Sequence, residues 1–507
     1  MNTKQLHPEL KKRGSADVSY LQHSVDEMIY TFMAEENIPG LSLAIVQAPY
    51  IPRVVGYGYS DAKQKRLVSP NTMFPLGPIS QAYAAVALMQ LYEAGQVNLD
   101  SSIARYLSEI PAAWKGITVI DLLRHASGLA DYRNEKNFSL DQPYSFETAL
   151  KTLGSKALLF ESGRDFNESA TDFLVLSEII ARVSGMSYHA YVKKNQFEAL
   201  GLRHTAFQED LSQFKKEDLT QSGGLHEIFK HDGAYIDPIE TAASYDEKGN
   251  LIPFINKGVL QGFSDVYASS GDVSFWDIAL AGGVLIHEKK NRDFVYQSYQ
   301  NKNGETVPSV AGWHFYFHRG LMAIRGSVRG YSSYLSRFTH SEELVCVTLL
   351  ANKEGVDFTN LARRIAAAFG DLLSTNYDDN RLFLLEGQFK ADETVRRLKK
   401  ALEKRSIPLF AEFDHQKNAE EVGLTLRPTT ILVFGSPKVG TPLMALDQSL
   451  GLDLPLKIAV WEDEAGSTWV GFKRLKALIE EHELKDSVTI MKMEKLLEAL
   501  AKEAAEI

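Results

Sequence analysis

Strand-like runs lie at both ends of residues 20–373, and a mainly helical stretch separates them. Leu41–Gln47 and Arg53–Tyr59 come early, with Pro49 and Pro52 predicting a turn between them. They follow a segment over 20–35 whose apolar positions Val25, Met28, Ile29 and Phe32 recur at helical spacing. Trp313–His318, Tyr331–Phe338 and Leu344–Leu350 come late, followed by a helical pattern over 357–370. Such half-buried strands need partners, and the arrangement that supplies them is one antiparallel sheet completed by both ends of the segment. The predicted class is α+β, with helices on both sheet faces and a helical subdomain formed from about 100–300.

The pattern changes after Thr375-Asn-Tyr-Asp-Asp-Asn-Arg381, a polar, turn-rich stretch that reads as a linker. Beyond it, Phe383–Phe389, Pro408–Phe413, Thr429–Phe434, Leu456–Glu462 and Thr468–Phe472 read as strands. Asp392–Glu403 and Met493–Ala505 read as helices. The expected organisation is a large domain over 1–374, a linker over 375–381 and a small separate α/β domain over 382–507. A chain of 507 residues is too long for one ordinary core, so two cores that fold separately are expected.

With 44% hydrophobic and 24% charged residues, the composition is that of a globular protein. A net charge of -10 argues against a nucleic-acid surface, which needs an accumulation of Lys and Arg. The single cysteine, Cys346, sits in an apolar run and reads as a core residue, so no intramolecular disulfide is expected. The first residues, Met-Asn-Thr-Lys-Gln-Leu-His-Pro, lack the apolar run of a secretory signal, and no stretch has the length of a membrane span. The expectation is a cytoplasmic protein with no membrane partner.

Thr72-Met-Phe-Pro-Leu-Gly77-Pro78-Ile79-Ser80-Gln81, continuing to Gly95, resembles the active-site helix of the serine β-lactamase and penicillin-binding-protein family. Four further anchors carry that resemblance: Ala94-Gly-Gln-Val-Asn-Leu-Asp100, Ile117-Thr through His125-Ala126-Ser127-Gly128-Leu129, Gly326-Ser-Val-Arg-Gly330-Tyr, and Leu350-Ala-Asn352. The resemblance implies three catalytic motifs around one pocket. The first is Ser-x-x-Lys, in which residues three apart share a helix face and exchange a proton. Here Pro78 and Gln81 hold those places; proline has no hydroxyl, and a neutral amide is no general base. The second is Tyr-x-Asn, matched by Glu168 and Ala170. The third is Lys/His-x-Gly on an edge strand, which holds a substrate carboxylate; it reads Ile324-Arg325-Gly326. No catalytic residue is therefore assigned, and Glu168, Arg325, Gly326 and Ser327 remain as binding candidates.

Blander readings bear on each candidate. Ser80 lies roughly 200° around the helix from position 78, so it faces the interior. Glu168 and Arg325 read as a salt bridge between loops before they read as an acid/base pair. His125 reads as a hydrogen-bonded structural histidine. His226-Glu-Ile-Phe-Lys-His231 misses the zinc-protease spacing by one residue, so no metal is expected, nor any other cofactor.

Residues 382–507 resemble a bacterial family of unknown function, number three-hundred-and-two, through Phe413-Asp414-His415, Phe434-Gly435-Ser-Pro437-Lys438-Val-Gly440-Thr441 and Leu452-Asp453-Leu-Pro455. Gly435, Lys438 and Gly440 form a strand-to-helix turn whose free amides could hold an anion, although a plain tight turn explains them. Asp414 and His415 read as a helix cap before they read as a polar site.

Three function classes follow. The first is a catalytically inactive relative that binds a small carboxylate or peptide-like ligand, or acts as a scaffold, with homo-oligomers left open. The second is a hydrolase with a rearranged site using Glu168, Arg325 and Ser327. The third places the activity in the C-terminal domain.

Overall fold

The computed structural model describes residues 14–15, 17–48, 50–136, 138–140, 142, 144–213, 230–231, 234–235, 241–253, 260–304, 306–307, 309–315, 321–340, 343–370, 373, 382–463, 466–475, 482 and 487–506. Contacts divide the chain into two compact units. One holds Met1–Asp17, Asp26–Tyr316 and Gly320–Ala362; the other holds Val18–Val25, Phe317–Arg319 and Arg363–Ile507. The expected linker at 375–381 lies outside the described residues, as does His226.

Helix α1 spans Val25–Glu35 and starts later than its periodicity suggested. Leu21 and Gln22, with φ of 49° and 65°, turn a short hairpin between Ser19–Tyr20 and His23–Ser24 just before it. Strand β1, Gly40–Gln47, is buried along its whole length, which explains its nearly continuous apolar sequence. Strand β2, Tyr50–Asp61, begins earlier than expected. Pro52 therefore lies inside a strand, beside a register shift between Ile45 and Gln47 where a residue without an N–H is tolerated. Helix α2, Ser80–Glu93, is Ala-rich and buried on nearly every side, so it runs through the core rather than over it. Gly95, at φ 69°, supplies the left-handed residue that ends it.

The elements that follow are α3 (Val119–Leu123), α4 (Ala170–Ser184) and α5 (Ser270–Ala281). The late strands are β3 (Trp313–Phe315), β4 (Leu321–Val328), β5 (Tyr331–His340) and β6 (Glu343–Ala351). Among the described residues they form a ten-stranded sheet in the order Ser309–Val310, β3, β4, β5, β6, β1, β2, Arg66–Leu67, Ala234–Tyr235, Lys230–His231. Its one parallel pairing is Arg66 with Tyr235. β6 lies against β1, with Val347 opposite Ile45, so both ends of this part of the chain complete one sheet as expected. Lys230–His231 is a short strand in this sheet. A buried ion pair ties α5 to the sheet: Arg337 Nε lies 2.9 Å from both carboxylate oxygens of Asp277. The guanidinium also faces the Tyr296 ring at 4.4 Å.

Helix α6, Thr359–Ala367, contributes Arg363 to the second unit. That unit contains strands β7 (Leu382–Gly387), β8 (Leu409–Asp414), β9 (Thr429–Phe434), β10 (Leu456–Glu462) and β11 (Thr468–Lys473). They form an antiparallel sheet in the order β7-β11-β10-β9-β8. Helices α7 (Ala391–Lys404) and α10 (Ser487–Ala505) place Leu398, Leu402, Leu497 and Leu500 in its core. Helices α8 (His415–Glu421) and α9 (Pro437–Leu446) follow β8 and β9. Arg363 reaches Glu386 of β7 at 2.7 Å, and both side chains are buried.

Candidate functional site

The start of α2 is a single 3-10 turn, Gly77–Ile79, with Pro78 inside it and half-buried. Proline suits this position because its fixed φ matches the helix and its missing N–H is not needed there. Ser80 is buried and its Oγ accepts the backbone N–H of Val266 at 3.1 Å, a structural role that faces the interior as expected.

Gln81, one residue on, is the centre of a hydrogen-bonded row. Its Oε1 accepts from Nε2 of His125 at 2.9 Å, and its Nε2 donates to Oε1 of Glu168 at 3.3 Å. On the far side of the imidazole, His125 Nδ1 lies 2.9 Å from Oδ2 of Asp172. The other Asp172 oxygen accepts from the Ser127 hydroxyl. The row therefore reads Glu168, Gln81, His125, Asp172, Ser127, and Gln81, His125, Ser127 and Asp172 are all buried.

Three local devices place these groups. His125 follows α3, whose capping box joins Thr118 and Asp121, and it takes a φ of 53°. That left-handed conformation is disfavoured for a residue with a Cβ, and such positions persist where surrounding bonds over-determine them. Here the His125 carbonyl accepts from Asn167 N at 2.9 Å, and the Ala126 carbonyl accepts from Gly163 N at 2.7 Å. These bonds hold the 162–169 loop, and with it Glu168, beside the imidazole. Asp172 lies in the first turn of α4, whose N-cap is Ser169.

The proton count of this row follows from its geometry. With the Gln81 amide nitrogen turned to Glu168, its oxygen requires an N–H on His125 Nε2. The proton between Nδ1 and Asp172 then belongs to either group. Burial pushes the Asp172 carboxyl up to about 6, against the opposing pull of His125 and Ser127. Ser169 N also points at Nδ1, at 3.2 Å, and can donate only when that nitrogen carries no proton.

His314 on β3 joins this region. Burial holds its imidazole below the usual histidine value, while the charge of Glu168 opposes that shift and His125 and Arg325 add to it. It was not singled out in the sequence, where only strand alternation around Trp313 was visible. Asp172 was also missed: an acidic residue in a helix's first turn is ordinary, and nothing local says that it faces a histidine 47 positions away.

Arg325, Gly326 and Ser327 lie on β4. β3 pairs with β4 only at Met322 and Ala323, so beyond these residues the outer side of β4 has no strand partner among the described residues, which makes it locally an edge. Arg325 is exposed and pairs with Asp357 at 3.6 Å, whereas Glu168 accepts from Gln81. The expected Glu168–Arg325 bridge is thus replaced by two other partnerships. Ile324 is buried in the core, and Ala170 is buried with its N–H donating to Asp131. Gly326 packs where a Cβ would stand 2.4 Å from the Leu76 carbonyl oxygen, so it lets β4 lie directly against the entry to α2.

In the second unit, Asp414 caps α8, accepting from Lys417 N at 3.0 Å, and His415 is the first residue of that helix. Gly435 stands between β9 and α9, while Lys438 and Gly440 lie in the first turns of α9. The described residues contain no cluster of His, Cys, Asp and Glu fit for a metal ion, and no helix among them is long and apolar enough to cross a membrane.

Comparison with known families matches residues 25–369 to the Beta-lactamase model and residues 386–502 to Domain of unknown function DUF302. Penicillin-binding protein 4* of Bacillus subtilis (strain 168) is 26% identical over 306 residues, covering 59% of this chain. The match spans 64% of that relative, under two thirds of its length. Among solved structures, the octameric penicillin-binding protein homologue from Pyrococcus abyssi has a TM-score of 0.53 at 19% identity, covering 88% of this chain and 89% of its own. A class C beta-lactamase has a TM-score of 0.55 at 18% identity, covering 68% of this chain and 96% of its own. These likenesses establish a shared fold.

Proposed function

Because this chain belongs to the β-lactamase family across residues 25–369, we propose that its large domain binds a ligand at the family's site without forming a covalent acyl intermediate. The observation that carries this reading is the engagement of Gln81. Acyl transfer needs a nucleophile whose proton a neighbouring base removes. The side chain three residues after Pro78 is an amide committed on both ends, accepting from His125 and donating to Glu168. A neutral amide in that place positions its neighbours but does not take up a proton. Groups that act together in catalysis lose most of their effect when one is removed, so replacing several leaves binding as the retained property.

The ligand class is a small carboxylate or peptide-like molecule. Arg325 stands on the locally open side of β4, and a guanidinium is a good bidentate partner for a carboxylate. Asp357 competes for it, but both side chains are largely exposed, so the pair is weak and exchangeable. A thermal-shift screen of small carboxylates tests this. Arg325→Ala is expected to abolish the shift given by any hit, and Glu168→Gln to retain it. A hit indifferent to Arg325→Ala would place the binding elsewhere.

A second reading, hydrolysis by a rearranged site, has one observation in its favour. His314 is biased towards the neutral form that can accept a proton, and Glu168 is near enough for its charge to act on that imidazole. Ester turnover that His314→Ala abolishes without loss of melting temperature would support this reading over the first.

A further inference from the structure

The second unit contains a cavity of about 560 Å³ that none of the preceding chemistry uses. It lies between α9, the loop before β10 and α10, and its size falls within the range of small-molecule sites. Phe410, Val439, Met444, Leu454, Met493 and Leu496 form much of its apolar wall.

Three glycines on that wall indicate that the space is built in. Gly435, Gly440 and Gly451 all line the cavity, and none has a positive φ. A Cβ at Gly435 would come no closer than 3.5 Å to a neighbour, at Gly440 3.8 Å, and at Gly451 3.9 Å, all ordinary contact distances. Neither backbone conformation nor packing therefore requires glycine at these positions. Gly440 also lies within α9, where glycine weakens a helix by about 1 kcal/mol relative to alanine. What a side chain at any of the three would consume is the cavity itself.

Among the described residues, one charged group lines this space. Lys492 of α10 is exposed at the wall, and no carboxylate among the described residues pairs with it. The first turn of α9 also borders the cavity, and the Ser436 side chain makes no capping bond there, so this end favours negative charge. The two methionines offer flexible, polarizable surface suited to an equally flexible chain.

We propose that this cavity binds a free medium-chain fatty acid, with the alkyl chain along the methionine and leucine wall and the carboxylate at Lys492. The inference stands apart from the reading of the large domain, because every lining residue belongs to the second unit.

Titration of the full-length protein with dodecanoate, followed calorimetrically, tests it. One molecule is expected per chain, with affinity falling about fourfold for each methylene removed from the ligand. Gly440→Leu and Met444→Trp, which fill the space from neighbouring positions on one face of α9, are each expected to weaken binding at least tenfold while the melting temperature holds or rises. Lys492→Gln is expected to weaken dodecanoate several-fold and leave dodecanol unchanged. The proposal fails if the wild-type protein shows no saturable binding, or if both filling variants bind as the wild type does. It also fails if dodecanol and dodecanoate respond equally to Lys492→Gln. Sedimentation with phosphatidylglycerol vesicles that the filling variants abolish would assign the cavity to a bilayer acyl chain and overturn the free acid as occupant.

Discussion

Gln81 Oε1 lies 2.9 Å from His125 Nε2, and both side chains are buried. Replacing Gln81 by Met keeps most of the volume and removes both bonds, leaving the imidazole N–H without its acceptor. An unmade buried bond of this kind costs about 1–3 kcal/mol. Gln81→Met is therefore expected to lower stability by that amount in chemical denaturation followed by tryptophan fluorescence. An unchanged midpoint would mean that the bond adds nothing to the fold.

Asp172 gives this site a pH dependence with a definite sign. Its folded carboxyl is raised to about 6 from an ordinary value of 3.8. A raised carboxyl binds protons more tightly in the folded state, so its contribution is fully present below about pH 4 and is lost as pH rises through 6. The stability difference between the wild type and Asp172→Asn should therefore shift in favour of the wild type on going from pH 7 to pH 4.5. The shift should be at most roughly 3 kcal/mol. A difference independent of pH, or one of opposite sign, would contradict this.

Arg337 and Asp277 form a buried pair in the large domain. Removing one partner strands the other charge, which typically costs 3–5 kcal/mol, whereas replacing both with apolar groups costs far less. Arg337→Met and Asp277→Leu are each expected to lose about 3–5 kcal/mol, and the double variant less than either. Equal losses in all three would show that packing rather than charge is being measured.

The sequence located most strands within a few residues, because alternation and apolar runs report burial directly. It placed the start of α1 too early, since nothing in Leu21-Gln22 announces a pair of left-handed residues. At the site, His125 and Glu168 stood out through their flanking motifs, but their partners did not. Asp172, His314 and Asp357 reach their neighbours only through the folding of distant segments. The Glu168–Arg325 pairing was a sound guess from charge, and it went astray because Gln81 offers Glu168 a donor and Asp357 offers Arg325 a carboxylate.

Arg363 and Glu386 bear on where the small domain begins. Their bond spans the expected linker, and both side chains are buried in the second unit. A fragment over 359–507 is expected to fold more stably than one over 382–507, by about 3–5 kcal/mol, because the shorter piece strands Glu386. Equal unfolding midpoints would show that Glu386 needs no partner.

Pro78→Ser combined with Gln81→Lys is expected to remain a poor β-lactam hydrolase. The lysine would meet His125 and Glu168, and Ile324, which the family resemblance aligns with a lysine or histidine, stays buried in the core. Substantial nitrocefin turnover by that double variant would show that the two α2 positions alone had set the outcome.

The most direct measurement is the intact mass of the full-length protein after prolonged incubation with a fluorescent penicillin. On the proposal that Pro78 stands where the family's nucleophile belongs, and with Gln81 engaged by His125 and Glu168, the mass is expected to stay that of the unmodified chain. A stoichiometric adduct, mapped to any residue of the 78–81 turn or the facing β4, would contradict binding without acylation.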